Sequence, residues 1–339
     1  MNNLIAIHQR TGSFSDQWIE YCEQENIPYK IVDCYENDII EQLDDCESLM
    51  WHFHHTHPKD ILFAKQLMFA VEQTGMKTFP DFNTMWHFDD KVGQKYLFES
   101  LDAPLVNTYV FYDKQKALEW AKSTVFPKVF KLRGGSGSSN VQLVHSAKEA
   151  RKRIIKAFGK GYKQRDPISD IKERYRKFKN GKESIKYFLA GFYRLFKNHE
   201  YEKVKGRDRG YIYFQDFIPE NNFDIRVIVI DRKAFAVKRM VRENDFRASG
   251  SGVLKYDKKL FSDEIIRLAQ TYASKLNMKS FAVDFVIQNN EPLIVEISYG
   301  FPNKNFIDGC KGYWDQDLKF HTGVFNPYEW MVKSVLNTG

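Results

Sequence analysis

At 339 residues the chain exceeds one average domain, and two or three packed units are expected. Hydrophobic residues make up 43% of it, ample for real cores, and no stretch approaches the roughly 18 consecutive apolar residues of a membrane-spanning helix. The net charge of +7 is unevenly placed, because Lys148 to Arg209 holds 21 Lys/Arg against 8 Asp/Glu, leaving 30 basic and 36 acidic residues elsewhere.

The start, Met1-Asn2-Asn3-Leu4-Ile5-Ala6-Ile7-His8, lacks the regions of a signal peptide and reads as a first strand. Cys22, Cys34, Cys46 and Cys310 show no CxxC spacing, which fits a reduced, cytoplasmic protein rather than a disulfide or zinc framework. Strands at Leu4–His8, Tyr29–Asp33, Leu49–Phe53 and Lys77–Pro80 alternate with helical stretches near Asp16–Gln24, Ile39–Leu43 and Asp60–Thr74. That alternation predicts a small parallel sheet covered by helices over residues 1–88. No GxGxxG follows the first strand, so a dinucleotide site there is unsupported.

A helix is expected over Asp89–Ser100, with Asp89 or Asp90 suited to its N-terminal turn. Further on come a strand at Thr108–Tyr112, a helix at Lys114–Lys122, and two strands, Phe126–Leu132 and Asn140–Val144, around a glycine-rich turn. Beyond the basic stretch, strands recur at Tyr211–Phe217, Asp224–Ile230, Ala234–Val241, Phe281–Ile287 and Leu293–Ile297, with a helix at Asp263–Leu276. Tight turns such as Ile230-Asp231-Arg232-Lys233 indicate antiparallel pairing, so the second half reads as α+β.

Four constellations carry chemistry. Lys131 runs into Gly134-Gly135-Ser136-Gly137, a loop whose backbone N–H groups can close over phosphate oxygens without Cβ clashes, or which is simply a flexible turn. It is not a Walker A loop, since GxxxxGK[ST] is absent. Asp284 and Glu296 each sit in an otherwise apolar strand on either side of the polar turn Gln288-Asn289-Asn290-Glu291. If they share one face they call for a cation, and magnesium held with substrate phosphates is the simplest; the alternative is that both face solvent. Gln215-Asp216-Phe217-Ile218 ends a strand and offers main-chain groups and an apolar wall to a nucleobase. Arg239, Arg242 and Arg247 could clamp phosphoryl and anionic groups, or form a solvated basic face.

In this order the signals resemble the ATP-grasp superfamily, and within it the RimK-like glutamate ligases and related carboxylate–amine ligases, over roughly Asp89 to Ser298. The resemblance implies an N-terminal α/β domain followed by an α+β ATP-grasp fold, with a lid over 89–210 and a C-terminal antiparallel-sheet subdomain over 211–339. It implies Lys91 and Lys131 as the nucleotide lysines, with Gly134, Gly135, Ser136 and Gly137 at the phosphates. Gln215-Asp216-Phe217-Ile218 would be the adenine hinge, where the family more often has Glu at the position of Asp216. Asp224 and Arg226 match an Asp-Ile-Arg signature, and Arg247 the arginine that touches the terminal phosphate. Arg226, Arg239, Arg242 and Arg247 would be the catalytic cations, and Asp284, Glu296 and Ser298 the ligands of Mg2+ or Mn2+. Two departures stand out: Ser298 replaces the usual asparagine of Glu-x-Asn, and Ser249 another usual asparagine.

The implied reaction has two steps. A carboxylate attacks the γ-phosphate of ATP to give an acyl phosphate, and an amine then displaces phosphate. Substrates would be small-molecule or glycan-linked carboxylates and amines. An ATP-dependent kinase and a non-catalytic nucleotide-binding protein docking on an anionic surface are the competing classes, and a homodimer is compatible with all three.

Two features stand outside that scheme. Ile185, Phe188, Leu189, Phe192 and Phe196 recur at helical spacing among Lys182, Lys186, Arg194 and Lys197, suiting either a helix packed on its own domain or one peripheral to an anionic membrane. Nucleic acid is disfavoured, since nothing else indicates base stacking. His52, His54, His55 and His57 crowd the end of the third strand and suggest a substrate contact or a metal site.

Overall fold

The computed structural model describes residues 3–135, 140–164, 200–241, 245–248, 251–302 and 306–336, together with positions 171, 175, 178, 184 and 185. Its N-terminal sheet is parallel, in the order β2 (Tyr29–Val32), β1 (Ile5–His8), β3 (Ser48–Trp51), β4 (Lys77–Phe79). Parallel neighbours need crossovers, and α1 (Phe14–Gln24), α2 (Ile39–Gln42) and α3 (Pro58–Glu72) supply them. Ser13 fixes the start of α1 by accepting from the N–H of Ser15. The short α4 (Phe82–Met85) leads to α5 (Lys91–Glu99), whose cap is Asp90, accepting from Gly93 N at 2.9 Å.

A second sheet is antiparallel, in the order β5 (Thr108–Phe111), β10 (Ile212–Asp216), β6 (Lys128–Lys131), β7 (Gln142–Val144). It is backed by α6 (Lys114–Ser123) and α7 (Ala147–Ala157). The sequence reading missed α7 because its lysines and arginines merged into the basic run. Ala150, Ile154 and Ala157 nevertheless recur at one-turn intervals and are buried. The first part of the basic segment is therefore an amphipathic helix packed on its own domain. Phe188, Leu189, Phe192, Phe196, Lys182, Lys186, Arg194 and Lys197 lie outside the described residues, while Ile185 of the same series is described and exposed. The segment resumes with α8 (Glu200–Lys205), between the paired β8 (Tyr162–Lys163) and β9 (Arg207–Asp208).

The third sheet runs β15 (Glu291–Ser298), β14 (Ser280–Gln288), β11 (Phe223–Ile230), β12 (Lys233–Met240), β16 (Gly312–Trp314), β17 (Phe320–Thr322), with β13 (Leu254–Lys255) also on β12. Its long hairpins close through Asp231-Arg232 and Asn289-Asn290, all four at positive φ, the geometry of two-residue turns that match strand twist. One face lies under α9 (Asp263–Lys275), which buries Ile265, Ile266 and Ala269 against Val227, Phe281 and Phe285. Part of the other face packs on the N-terminal sheet through Ile228, Ile230 and Phe235, in a core that also takes Trp18, Phe79 and, from α10 (Pro327–Lys333), Trp330 and Met331. The second sheet has a core of its own, around Phe130, Phe214 and Ala117, whose members all fall between residues 109 and 214. It joins the rest of the chain where Asp216 leads to Pro219 and where Val106 donates to Ile294 O at 2.9 Å.

No helix among the described residues is long and apolar enough to cross a membrane.

Candidate nucleotide and metal site

The sequence Asp224-Ile225-Arg226-Val227-Ile228-Val229-Ile230 alternates faces in β11, so Asp224, Arg226, Ile228 and Ile230 share one. The isoleucines seat the N-terminal sheet, and the charged pair at the other end of the strand is only partly buried. Arg226 stands opposite Asp284 of β14, and Asp224 opposite Arg239 of β12. Arg226 donates to both Asp284 oxygens at 2.6 and 2.7 Å. Arg239 does the same to Asp224 at 2.6 and 2.7 Å, and its Nη2 also lies 2.8 Å from Asp284 Oδ2. Burial works against the Asp284 charge, but the two guanidinium groups outweigh it and hold its carboxyl well below the usual carboxylate range. Arg239 was expected to clamp phosphoryl or anionic groups and Arg226 to be a catalytic cation; in the structure both guanidinium groups are paired with Asp284.

Glu296 stands opposite Asp284 on β15, and Lys91 at the start of α5 reaches it at 3.0 Å. The same ammonium donates to Gly135 O at 2.8 Å. Burial disfavours the Lys91 charge, but Glu296 and Asp89 prevail and raise its pKa above the ordinary value. Gln94, one turn along α5, fixes this geometry: its amide donates to Ile297 O at 2.8 Å and accepts from Ile297 N at 3.1 Å. Lys131 is buried on β6 and donates to Gln215 Oε1 at 2.6 Å. Burial lowers its pKa to about 8, helped by Lys91 and opposed by Glu296 and Asp284. Two lysines distant in sequence and the late acidic pair thus share one cleft.

Gly134 and Gly135 form the described start of the glycine-rich loop; Ser136 and Gly137 lie outside the described residues. A Cβ on Gly134 would stand 2.5 Å from Lys205 Nζ and 2.6 Å from Asp89 Oδ2. Asp89, at φ +56°, accepts from Gly135 N and pairs with Lys205 at 2.9 Å. Asp89 was read only as a helix cap, and neither its grip on the loop nor Lys205 was foreseen; an Asp-Asp pair before the α5 lysine is the one signal in the sequence.

At the hinge, Asp216 accepts from Lys128 and, at 3.2 Å, from Asn107, so its side chain is already engaged. A cavity of about 480 Å³ opens there between Leu105, Phe126, Phe217, Ile218 and Leu293. Leu293 pairs with Val286, two residues from Asp284, which puts this wall on the same face of the hairpin as the acids. Arg247 is paired with Asp245 at 2.6 Å, and Phe246 meets Phe217 edge-on at 5.9 Å. Arg242 and Ser249 lie outside the described residues.

For magnesium, the donor set is two hard carboxylates on adjacent strands plus the Ser298 hydroxyl, which accepts from Gly300 N at 3.0 Å. Glu296 is the more open acid, 32% exposed against 11% for Asp284. No cluster of three or more His, Cys, Asp or Glu suited to a metal occurs among the described residues. A cation that takes its remaining oxygens from phosphates and water fits this set, and Mg2+ is such a cation.

After β3, His52 Nδ1 accepts from Phe14 N at 3.0 Å, His54 Nδ1 from Thr56 N at 3.2 Å, and His57 pairs with Asp60 at 3.0 Å. Burial lowers the His54 pKa to about 4 and that of His52 well below the ordinary value. Dispersed over separate partners, these rings do not form a common metal site.

The sheet with its own core, the two inward lysines and the acidic hairpin have the arrangement of an ATP-grasp fold. The family description "RimK-like ATP-grasp domain" matches residues 177–306. Alpha-aminoadipate–LysW ligase LysX of Saccharolobus solfataricus is 21% identical over 287 residues, 83% of this chain and 86% of that one. Among solved structures, a RimK domain ATP-grasp protein from Sphaerobacter thermophilus superposes with a TM-score of 0.56 at 13% identity, covering 98% of this chain and 99% of the other. The ATP-grasp ligase PsnB, complexed with a minimal precursor, Mg and ADP, gives 0.56 at 10% identity, covering 99% and 97%. These likenesses give the chain an ATP-grasp fold, with residues 177–306 similar to the RimK-like type.

Proposed function

We propose that the protein is an ATP- and Mg2+-dependent ligase that activates a substrate carboxylate and joins it to an amine. The observation that supports this reading is the meeting of Lys91, Lys131, Asp284 and Glu296 in one cleft beside an apolar hinge cavity. The base would lie in the hinge cavity against Phe217, Ile218 and Leu293, with hinge main-chain groups as partners. Lys131 would exchange Gln215, and Lys91 Gly135, for phosphate oxygens. Glu296, Asp284 and Ser298 would hold Mg2+, which when bound supplies charge neutralisation at the transferred phosphoryl group.

Catalysis of this kind is positioning plus electrostatics, so no side-chain nucleophile is required. Arg226 and Arg239 act first by keeping Asp284 ionised. Arg247, paired with Asp245 beside the Phe217–Phe246 contact, would release that partner to meet the γ-phosphate. The LysX and PsnB names point toward amino-acid or peptide substrates, and we extend that class to this chain. We also propose three units, 1–88, a lid from 89 and a C-terminal unit to 339, with the lid ending after Asp216 rather than at 210 because its separate core includes Ile212 and Phe214 of β10.

The test is ATP turnover over panels of carboxylates and amines. ADP should form only with both partners present, and hydroxylamine in place of the amine should yield a hydroxamate. Phosphate transfer to a hydroxyl with no amide product would make the protein a kinase instead.

A further inference from the structure

The histidines after β3 are left unused by the nucleotide reading, and their surroundings are specific. Loop residues after β1 and β3 emerge at the carboxyl ends of the N-terminal parallel strands, the edge at which open α/β sheets take ligands. A backbone N–H can only donate, so Phe14 N on His52 Nδ1 and Thr56 N on His54 Nδ1 leave both rings with their proton on Nε2. Both imidazoles are therefore neutral donors. His52 is further fixed by stacking on Phe14, ring centroids 3.8 Å apart. Its Nε2 lies 3.6 Å from the point a Gly300 Cβ would occupy, and Ser298 Oγ lies 3.9 Å from the same point. The donor thus reaches the end of the metal strand, and Gly300 is the residue whose missing side chain keeps the space open.

Arg10, after β1, stands beside this group with 27% of its side chain exposed. Its Nη1 is 3.2 Å from Asp60 Oδ2. The Asp60 side chain is fully buried and also accepts from Tyr35, His57 and the N–H of His54. One carboxylate thereby sets both the Arg10 guanidinium and the backbone that carries His54. The aromatic contacts of Phe53 with Phe88 and Tyr299, and the bond from Tyr299 OH to Phe53 O at 2.6 Å, lock this loop to the Lys91 and Glu296 wall.

We propose that Arg10, His52 and His54, opening onto Ser298 and Gly300, form a carboxylate-binding crevice that delivers one substrate of the ligase to the phosphate end of the cleft, with Asp60 as its positioning residue. This deepens the ligase reading and rests on it for the role of the bound carboxylate. The Arg10 fork, held by Asp60 through Nη1, and two neutral N–H donors offer the geometry for a single carboxylate. The same chemistry serves the carboxylate that reacts and an unreactive carboxylate on the amine partner, and the test separates the two.

The test uses the full chain with 15N-labelled histidine and the probes AMPPNP–Mg2+, acetate, glutarate and L-glutamate, with glutaramide as the neutral counterpart. At least one carboxylate, but not glutaramide, should shift the Nε2 signals of His52 and His54. R10Q should weaken that carboxylate about tenfold or more, the loss expected for one charge-assisted contact. G300L, which adds no charge, should abolish it while AMPPNP still binds. A probe that binds and also yields hydroxamate with ATP and hydroxylamine is the reacting carboxylate; one that binds without hydroxamate and competes with the amine belongs to the amine substrate. The proposal is overturned if no carboxylate moves either histidine, or if R10Q and G300L bind as wild type. Failure of AMPPNP itself to bind is read separately and counts against the nucleotide site, since the histidine shifts are also recorded without it.

Discussion

Lys131 and Asp284 show how the same burial has opposite results. Lys131 faces a neutral amide, so burial lowers its pKa from 10.5 to about 8; Asp284 faces two guanidinium groups, so its carboxyl stays ionised. Triphosphate would stabilise the Lys131 ammonium and raise its pKa again. Between about pH 8 and the ordinary lysine value, nucleotide binding should then take up a proton and weaken as pH rises. Calorimetry in buffers of differing ionisation enthalpy should detect that proton near pH 8.5, and K131M should lose it; equal uptake in the variant would discredit the assignment. D284N leaves Arg226 and Arg239 buried without their shared countercharge, which should cost about 3–5 kcal/mol in urea unfolding at pH 7. Because the Asp284 carboxyl is held below its ordinary range, its contribution is present above the unfolded pKa of 3.8 and is lost as pH falls below that value. The variant should accordingly lose less stability than wild type on acidification.

The helix α5 and the glycine-rich loop act as joined parts. Gln94 satisfies both backbone groups of Ile297, so Q94L leaves a buried N–H and C=O unpaired and should destabilise the fold by about 1–3 kcal/mol. It should also raise the KM for ATP, since Lys91 would no longer be held against Glu296; unchanged KM would show that α5 is placed by its apolar contacts alone. G134A forces a methyl between Lys205 and Asp89, whose bond to Gly135 N ties down the loop. Weaker nucleotide binding with an unchanged melting temperature is the expected result, read by calorimetry and thermal unfolding. These couplings were only partly visible in the chain. The alternation in Asp224–Ile230 and around Asp284 shows which residues share a face, yet strand period cannot say which arginine meets which acid. Asp89 and Lys205 lie 116 positions apart, beyond any local pattern.

In the whole molecule, the two long hairpins of the third sheet follow from sequence pattern, because turns at Asp231-Arg232 and Asn289-Asn290 dictate neighbouring strands, whereas the lid was implied only by the family resemblance. The strands at 312–314 and 320–322 and the helices at 147–157 and 327–333 were not foreseen: the first are short, and α7 was concealed by its charge. A lid with its own core should respond to nucleotide as a unit. Hydrogen exchange with AMPPNP–Mg2+ should slow across β6, β7 and β10 while β1 and β11 amides hardly change. Uniform slowing throughout would mean that the lid and the body open together.

Ile228 and Ile230 occupy the same side of β11 as Asp224 and Arg226, so a single strand is both cleft floor and foundation for the N-terminal sheet. A chimera that grafts a relative's first 88 residues onto this chain would thus inherit new substrate preference only if the graft fits the greasy footing formed by Ile228, Ile230 and Phe235. Grafts matched at that buried junction should retain turnover, and mismatched ones should lose it even with every ligand-facing residue in place.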